Sequence, residues 1–522
     1  MSIKEIFTNA LRKRRIDDLL KISQHTDLRK TLGIFDLIIL GIGAVVGTGI
    51  FSIIGIAIKG GAESVGAGPA ICISMVLAAV ACVFSALCYS EIAAMIPVAG
   101  SAYTYTYATM GEFAAWMVGW ILMLEYAIGN ITVASAWCGY FTQLLKGFSH
   151  VLPPFITNCP IWLRMDYITI SHMCTKYGWD IHDKIPYIFG KIPFAVNFPA
   201  IFIVFLLTIM LLKGVKESTR LASILVGINL SMIVTFIAVG AFYIKPENWQ
   251  PFAPNGFEGV FMGAFLIFFA YIGFDAISTT AEEVKNPQRD LPIGILGTLI
   301  ICTILYVLVA LVLTGIVPLN NIDTGAPLAN AMSYIHQDWF AGFISVAAIA
   351  GLTSVLLVYQ LGTTRILYAM SRDYFLPKGL RLVNRKTRVP TVLTWLTALV
   401  VIVGALFMDL SISAELCNFG TFTSFIIICV AVLILRKTEP NRKRPFKVPF
   451  SPIFPILGIL ICTGLMLFSM KSLTTSSMLF PLWLFVGFLI YVFYGYKRKR
   501  QERFKQSTVR NMEQNVAEIV NR

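Results

Sequence analysis

Charged residues are scarce in this chain: they make up only 13% of its 522 residues, while 57% are hydrophobic. A soluble core of that composition would leave large apolar surfaces in water, so a soluble globular protein is excluded. None of the five histidines falls in a predicted membrane span, which excludes a histidine proton relay. The chain also lacks a CxxC pair, a Cys/His metal-ligand spacing and a Walker A motif. We therefore expect no metal, no cofactor and no direct coupling to ATP.

The ten cysteines occur mostly singly along apolar segments, where cysteine behaves as a small hydrophobic residue. Only Cys159 and Cys174 share the long connection at about 147–193. A disulfide between these two residues is an open alternative to two free thiols.

Long apolar runs are what the sequence has in abundance. A hydrocarbon core of ~30 Å needs a helix of roughly 20 apolar residues, and such runs recur twelve times. The sequence therefore predicts an all-α polytopic membrane protein of twelve spans. The predicted spans are 33–58, 69–96, 113–145, 194–212, 221–244, 257–281, 291–317, 341–370, 390–408, 414–435, 452–470 and 479–496.

The net charge of +14 has a topological explanation. When the twelve spans are threaded in order, 34 of the 42 Lys and Arg residues lie on the side of both tails and 8 on the opposite side. The positive-inside rule then places both tails, 1–32 and 497–522, in the cytoplasm. The protein is expected in a cytoplasmic (inner or plasma) membrane, in contact with lipid and without a nucleic-acid partner.

Two predicted spans are interrupted by residues that disfavour a helix. The first contains "GIGAVVGTGI" (41–50), with four glycines, and the sixth contains "FFAYIGFDAISTT" (268–280), where a glycine and an aspartate interrupt an aromatic run. Irregular backbone at membrane depth is tolerated where it lines a cavity. Two broken helices five spans apart are typical of an inverted repeat, here 33–244 and 257–435.

The helix ends at such breaks present backbone amides on one side and carbonyls on the other. Amide ends attract an anion, and carbonyl ends attract a cation. A molecule that carries a carboxylate and an ammonium group a few ångströms apart matches this pair of ends. The breaks therefore favour a free α-amino acid as the ligand.

Four motifs give the chain a family resemblance. They are "GAVVGTGIF" (43–51), "PVAGSAYTYTYATMGE" (97–112), "GFDAISTTAEEVKNPQRDLPIGI" (273–295) and "TRILYAMSRD" (364–373). With them the chain resembles the amino acid, polyamine and organocation transporter superfamily, in its cationic amino acid transporter branch. The resemblance implies a fold of the leucine-transporter type, with a ten-helix core at 33–435, a cytoplasmic loop and two further helices at 436–496.

The same resemblance implies a substrate site between spans 1, 3, 6 and 8, and Phe269 as the gate over the substrate. The expected carboxylate ligands are Gly47, Thr48 and Gly49. The expected ammonium ligands are the carbonyls of Val45, Phe269 and Ile272. Side-chain contacts are expected from Glu125, Thr353 and Ser354.

Glu125 and Asp275 are carboxylates inside predicted spans, where an ionisable residue is a functional candidate by default. Glu125 is predicted at about mid-membrane, where it could pair with a cationic side chain, and Asp275 follows the second break directly. Asn229 occupies the position where proton-coupled bacterial members of the branch carry a lysine. Coupling is therefore predicted to be absent, or to rely on Glu125 or Asp275 instead.

These features favour an amino acid transporter that works by alternating access, either facilitative or secondary active. Cationic amino acids are the favoured substrates, and a proton-coupled permease for neutral amino acids is the alternative. An enzyme is disfavoured because no catalytic motif lies near the breaks. An amino acid receptor of transporter-like fold would need a signalling domain, which tails of about 32 and 26 residues are too short to form.

Overall fold

The computed structural model describes most of the chain. The described residues are 11–24, 32–61, 64–98, 100–147, 153–157, 159–177, 179–188, 192–213, 215–384, 387, 389–471, 474–499 and 501. Parts of the predicted N-terminal tail and most of the predicted C-terminal tail lie outside these residues. The division of the chain into tails, core and final helices stays a prediction.

Helices account for nearly all the described regular structure. In chain order the α-helices are α1 (Ile16–Gln24), α2 (Ile34–Val45), α3 (Ile54–Lys59), α4 (Ile71–Met95), α5 (Ser101–Thr109), α6 (Glu112–Gly147), α7 (Pro154–Thr157), α8 (Ile161–Arg164), α9 (Tyr167–Tyr177), α10 (Ile181–Lys184), α11 (Phe198–Lys213), α12 (Val215–Gly240), α13 (Gly256–Ile267), α14 (Ala276–Thr279), α15 (Pro287–Ile316), α16 (Pro327–Tyr334), α17 (Asp338–Arg372), α18 (Thr391–Phe407), α19 (Leu410–Thr438), α20 (Ile453–Ser469) and α21 (Thr474–Ile490). Turns of π-helix occur at Gly49–Ile53 and Tyr491–Gly495, and 3-10 turns at Gly68–Ala70, Ala241–Tyr243, Pro246–Trp249, Phe268–Tyr271, Ala281–Glu283, Leu319–Asn321 and Lys378–Arg381.

An apolar helix, straight or interrupted, lies at each of the twelve predicted positions. Within the described residues, eight helices are long and apolar enough to cross a membrane, and the bent pair of α2 with the segment Gly49–Lys59 makes nine. The other three, α11, α18 and α20, are apolar but only 16 to 17 residues long. The all-helical polytopic fold is confirmed, while the count of twelve spans and the inverted repeat stay predictions.

The long connection between α6 and α11 contains a small departure from the all-α prediction. Strands β1 (Tyr187–Ile188) and β2 (Ile192–Pro193) form a two-stranded antiparallel pair there. Cys159 and Cys174 lie in the same connection, and both are free thiols. The disulfide that the sequence left open is therefore not formed.

The long helix α6 lies at the centre of the bundle, packed along both α17 and α19. Glycines allow these helices to approach closely. A Cβ at Gly129 of α6 would lie 2.7 Å from the ring of Tyr359 on α17, and one at Gly362 of α17 would lie 2.7 Å from the ring of Tyr126 on α6. Close contact of small residues is a usual way to pack helices in a membrane.

The N-terminal segment lies across one end of the bundle. Arg14 forms an ion pair of 2.7 Å with Asp373, which caps α17, and the Tyr103 hydroxyl donates to the same carboxylate at 2.8 Å. The backbone of Leu32 pairs with the segment around Val284, just before α15. Lys499 reaches the same end from the other terminus, with its Nζ 3.8 Å from the ring centroid of Phe375.

Candidate functional site

The first break lies where α2 ends at Val45. Val46 has an extended backbone (φ −80°, ψ 92°), and the chain resumes as a π-helical turn at Gly49, with a bend of 42° between the two halves. Side chains from other helices satisfy the carbonyls that the break exposes. Asn229 of α12 donates to the Val46 oxygen at 3.0 Å, and the Tyr306 hydroxyl of α15 donates to the Val45 oxygen at 3.0 Å.

The second break separates α13 from α14. A 3-10 turn, Phe268–Tyr271, is followed by Ile272 in an extended conformation and by Gly273 at φ +117°. This φ lies in the region that favours glycine, and a Cβ there would lie 2.7 Å from the Ala44 carbonyl oxygen. The Tyr359 hydroxyl of α17 donates to the Ile272 oxygen at 3.3 Å. The two predicted interruptions are thus confirmed as breaks in the helices.

The two breaks touch each other. The Tyr306 hydroxyl lies within hydrogen-bond distance of both the Val45 oxygen (3.0 Å) and the Ala270 oxygen (2.9 Å). A Cβ at Gly49 would overlap the backbone of Ala270. A large residue at position 49 would therefore collide with the second broken helix, whatever the position of a substrate carboxylate.

Two hydroxyl groups near the first break are buried without a hydrogen bond. Thr48 is 1% exposed and Ser354 is 1% exposed, and neither Oγ atom has a partner among the residues that the structure describes. The Ser354 oxygen lies 3.4 Å from the position of a Cβ at Gly43, which places it against α2. A buried unsatisfied hydroxyl costs about 1–3 kcal/mol, so such groups commonly serve a ligand or an ordered water.

Phe269, the predicted gate, is 3% exposed and lies in the 3-10 turn of the second break. The carbonyls predicted to bind ammonium lie at the two breaks, since Val45 ends α2 and Ile272 follows the 3-10 turn. The structure thus brings together Val45, Gly47, Thr48, Gly49, Phe269, Ile272 and Ser354.

Thr353 makes a contact that the sequence did not predict. The indole nitrogen of Trp137 on α6 donates to the Thr353 Oγ1 at 3.0 Å, and that hydroxyl donates to the Ile349 carbonyl at 2.6 Å. The ring of Trp137 also stacks on Phe141 at 4.7 Å between centroids. Trp137 thus links α6 to α17 beside a predicted site residue.

Glu125 and Asp275 belong to one buried polar cluster. Each is 1% exposed, and the Tyr126 hydroxyl donates to Asp275 Oδ2 at 2.9 Å. Asp275 is close enough to act electrostatically on the Glu125 carboxyl group, which also faces the hydroxyls of Thr421 and Ser424. No described residue completes a hydrogen bond with either Glu125 oxygen or with Asp275 Oδ1.

Residues 32–492 match the family model described as amino acid permease. The chain belongs to the amino acid permease family. Like its relatives it is a member of the amino acid, polyamine and organocation superfamily, a multi-pass membrane protein and a transporter, not an enzyme.

Three relatives of this permease illustrate the range of substrates in the family. The methylthioribose transporter of Bacillus subtilis is 41% identical over 94% of this chain and 98% of its own length. The branched-chain amino acid permease BcaP of the same organism is 40% identical over 94% of this chain and 99% of its own. The chloroplastic cationic amino acid transporter 9 of Arabidopsis thaliana is 38% identical over 67% of this chain and 56% of its own.

Sequence reasoning missed several aromatic residues of the permease that contact predicted site residues. They are Trp137, Tyr306 and Tyr359, together with Tyr126, which donates to Asp275. Each lies on a regular helix, in a stretch that reads as an ordinary apolar span. The sequence did contain one signal for these residues. A Tyr or Trp inside a span carries a polar atom that needs a hydrogen-bond partner.

Proposed function

We propose that this permease carries one free L-amino acid across the membrane by alternating access, with the substrate held between the two breaks. The observation that carries this proposal is the Thr48 hydroxyl, which is buried at the first break without a partner among the described residues. Backbone amides of Gly47, Thr48 and Gly49 would complete a site for the α-carboxylate.

The ammonium group would bind the carbonyls of Val45, Phe269 and Ile272. The Val45 and Ile272 oxygens accept from Tyr306 and Tyr359, and each keeps a second lone pair for a substrate donor. The ring of Phe269, in the turn that contributes one of these carbonyls, would close over the bound substrate.

The carboxylate assignment is tested by binding and uptake in proteoliposomes. Thr48→Val should weaken substrate binding by a factor of about ten or more, because a hydrogen bond to a charged group is lost. An amino acid amide, which lacks the carboxylate, should not compete. Thr397→Val is the matched control, since the Thr397 hydroxyl is also buried but donates within its own helix, to Leu393 at 3.0 Å. Normal affinity in a folded Thr48→Val protein would reject the assignment.

For the substrate side chain we propose a neutral group of branched-chain size. Two relatives that align over 94% of this chain are named for a branched-chain amino acid and for methylthioribose, both neutral. The Glu125 carboxyl group lies in the cluster with Asp275, Thr421 and Ser424, which supports a role in coupling more than a role as partner of a cationic substrate. Thr353 and Ser354, with Trp137, would contact the side chain.

Cationic amino acids are the second candidate, because Glu125 is a buried carboxylate on α6 without a hydrogen bond to a described residue. Competition uptake with Ile, Leu, Val, Arg, Lys and methylthioribose separates these substrates. If Arg and Lys compete best, and only they lose affinity in Glu125→Gln, the cationic candidate is correct. If methylthioribose competes and amino acids do not, the α-amino acid proposal fails.

Coupling is proposed to depend on Glu125 and Asp275, since Asn229 has no proton to exchange and donates to the Val46 carbonyl. The test is uptake into liposomes with an imposed pH gradient and the membrane potential held at zero. Accumulation that is lost in Glu125→Gln or Asp275→Asn, while substrate exchange persists, supports a carboxylate proton site. No accumulation in the wild-type protein would instead indicate a facilitator.

A further inference from the structure

A cleft of about 430 Å³ opens at the start of α15, apart from the two breaks. Its volume lies within the range of ~300–1,000 Å³ that is usual for small-ligand sites. One wall is the first part of α15, and the other is the connection after α19. The lining residues are Gln288, Arg289, Pro292, Ile293, Leu296, Pro445 and Phe446.

The polar part of the cleft consists of two exposed residues, Arg289 and Gln288. Arg289 is exposed, and it forms no ion pair with any residue in the described part of the chain. Gln288 carries a side-chain amide, which can both donate and accept hydrogen bonds. The cleft can therefore bind an anionic group and accept a hydrogen bond beside it.

The apolar part of the cleft continues along the outer face of α15. Ile293 lines the cleft and is 40% exposed, and Ile300 and Ile304 are 57% and 56% exposed. Spacings of seven and eleven residues place all three on one face of a helix. On a helix that spans a bilayer, such a face contacts lipid chains.

The charges around the cleft are basic. Lys285 precedes α15 and Lys447 follows Phe446, and both are exposed. No Asp or Glu is among the lining residues, and the adjacent Asp290 is buried at 5% exposure. A ligand with net negative charge fits these surroundings better than a zwitterion.

We propose that this cleft binds one anionic phospholipid whose headgroup carries hydroxyl groups, of the phosphatidylglycerol type. The Arg289 guanidinium pairs with the phosphodiester, and the Gln288 side-chain amide accepts a hydrogen bond from a headgroup hydroxyl. The acyl chains lie along Ile293, Ile300 and Ile304. The site is separate from the amino acid path, so it does not depend on the substrate assignment.

Native mass spectrometry of the full chain tests this site with phosphatidylglycerol and phosphatidylcholine of identical acyl chains. The wild-type protein should retain one phosphatidylglycerol in preference to phosphatidylcholine. Arg289→Gln should retain it about tenfold less well, because an ion pair with hydrogen bonds is lost. Lys437→Gln removes an exposed charge from the last turn of α19, outside the cleft, and should retain the lipid normally.

A second variant separates the cleft from general surface charge. Ile293→Trp keeps every charge and fills the apolar part of the cleft, so it should also lose the bound lipid. Thermal unfolding in lipid-free detergent checks that each variant is folded. The proposal is overturned by equal retention of both lipids, by an equal loss in Lys437→Gln, or by normal retention in Ile293→Trp.

Discussion

The side-chain nitrogen of Asn229 lies 3.0 Å from the Val46 carbonyl oxygen, so a neutral residue of α12 satisfies the backbone at the first break. Gly351 of α17 makes room for this amide, because a Cβ there would lie 2.6 Å from the Asn229 Cγ. Two helices therefore stabilise the break together: α12 supplies the donor, and α17 leaves space for it.

Asn229→Leu should destabilise the permease by about 1–3 kcal/mol, because the Val46 carbonyl is left buried without its donor. Gly351→Ala should act in the same direction by displacing the amide. Thermal unfolding and uptake measure both effects. Gly342→Ala, on the same helix and with no atom of a described residue within 4 Å of its Cβ position, is the control and should not destabilise the protein. Unchanged stability in both test variants would show that the hydrogen bond contributes little.

Trp137 should limit the size of the substrate side chain. Trp137→Ala removes a ring whose nitrogen donates to Thr353 at 3.0 Å, and it should increase the competition by Phe and Trp relative to Leu. Trp137→Phe, which removes the hydrogen bond but keeps an aromatic ring, should have a much smaller effect. Trp339→Ala is the control, since that side chain is 77% exposed. An unaltered preference in Trp137→Ala would place the indole outside the pocket.

The ion pair between Arg14 and Asp373 should stabilise the end of the bundle that the N-terminal segment lies across. Either Arg14→Asp or Asp373→Arg should lower thermal stability and change uptake, and the double variant should recover part of both. The Arg442–Asp17 ion pair is the control. The Asp17 side chain is 70% exposed, and exposed ion pairs contribute little to stability. If the loss of thermal stability in the double variant equals the sum of the losses in the two single variants, the two charges do not act as a pair.

Asp166 lies outside the spans and should make stability depend on pH. Burial raises the pKa of Asp166, although hydrogen bonds from Thr169 oppose the shift. The Thr169 hydroxyl lies 2.6 Å from Asp166 and 3.0 Å from Asp409, yet it has one proton to donate. An acid with a raised pKa in the folded state loses stability as pH rises through that pKa.

Asp166→Asn should therefore raise the melting temperature at neutral pH, since the amide can donate to Thr169 while that hydroxyl donates to Asp409. The gain should shrink as the pH falls and the wild-type carboxyl group takes up its proton. Glu247→Gln, at an exposed position of a 3-10 turn, should show no such trend. A lower melting temperature for Asp166→Asn at every pH would contradict this account.

Hydropathy and glycine content were sufficient to predict most of the fold. Each predicted span coincides with an apolar helix, because hydrocarbon requires long apolar runs with a satisfied backbone. The glycines at 41–49 and Gly273 marked both breaks, since positive φ and close backbone contact favour glycine. The short β1–β2 pair could not be predicted, because two-residue strands carry almost no sequence pattern.

The candidate site was less accessible to sequence reasoning. Residues on the broken segments were predictable, because the glycines there interrupt an apolar helix. Tyr306 and Tyr359 contact carbonyls at the breaks from regular helices far along the chain, where no interruption of the apolar pattern marks them. Helix packing determines such contacts, and one sequence does not contain that information. The same limit applies to Glu125, whose position on an apolar helix was predictable but whose neighbours Asp275, Thr421 and Ser424 were not.

Lys499 has a practical consequence for engineering this chain. Its amine lies over the ring of Phe375, forms a hydrogen bond with Tyr107 and lies 3.6 Å from Glu112, with only 6% of the residue exposed. A truncation that ends before Lys499 would leave Glu112 and two aromatic rings without this cation. Affinity tags and fluorescent reporters therefore belong beyond this lysine.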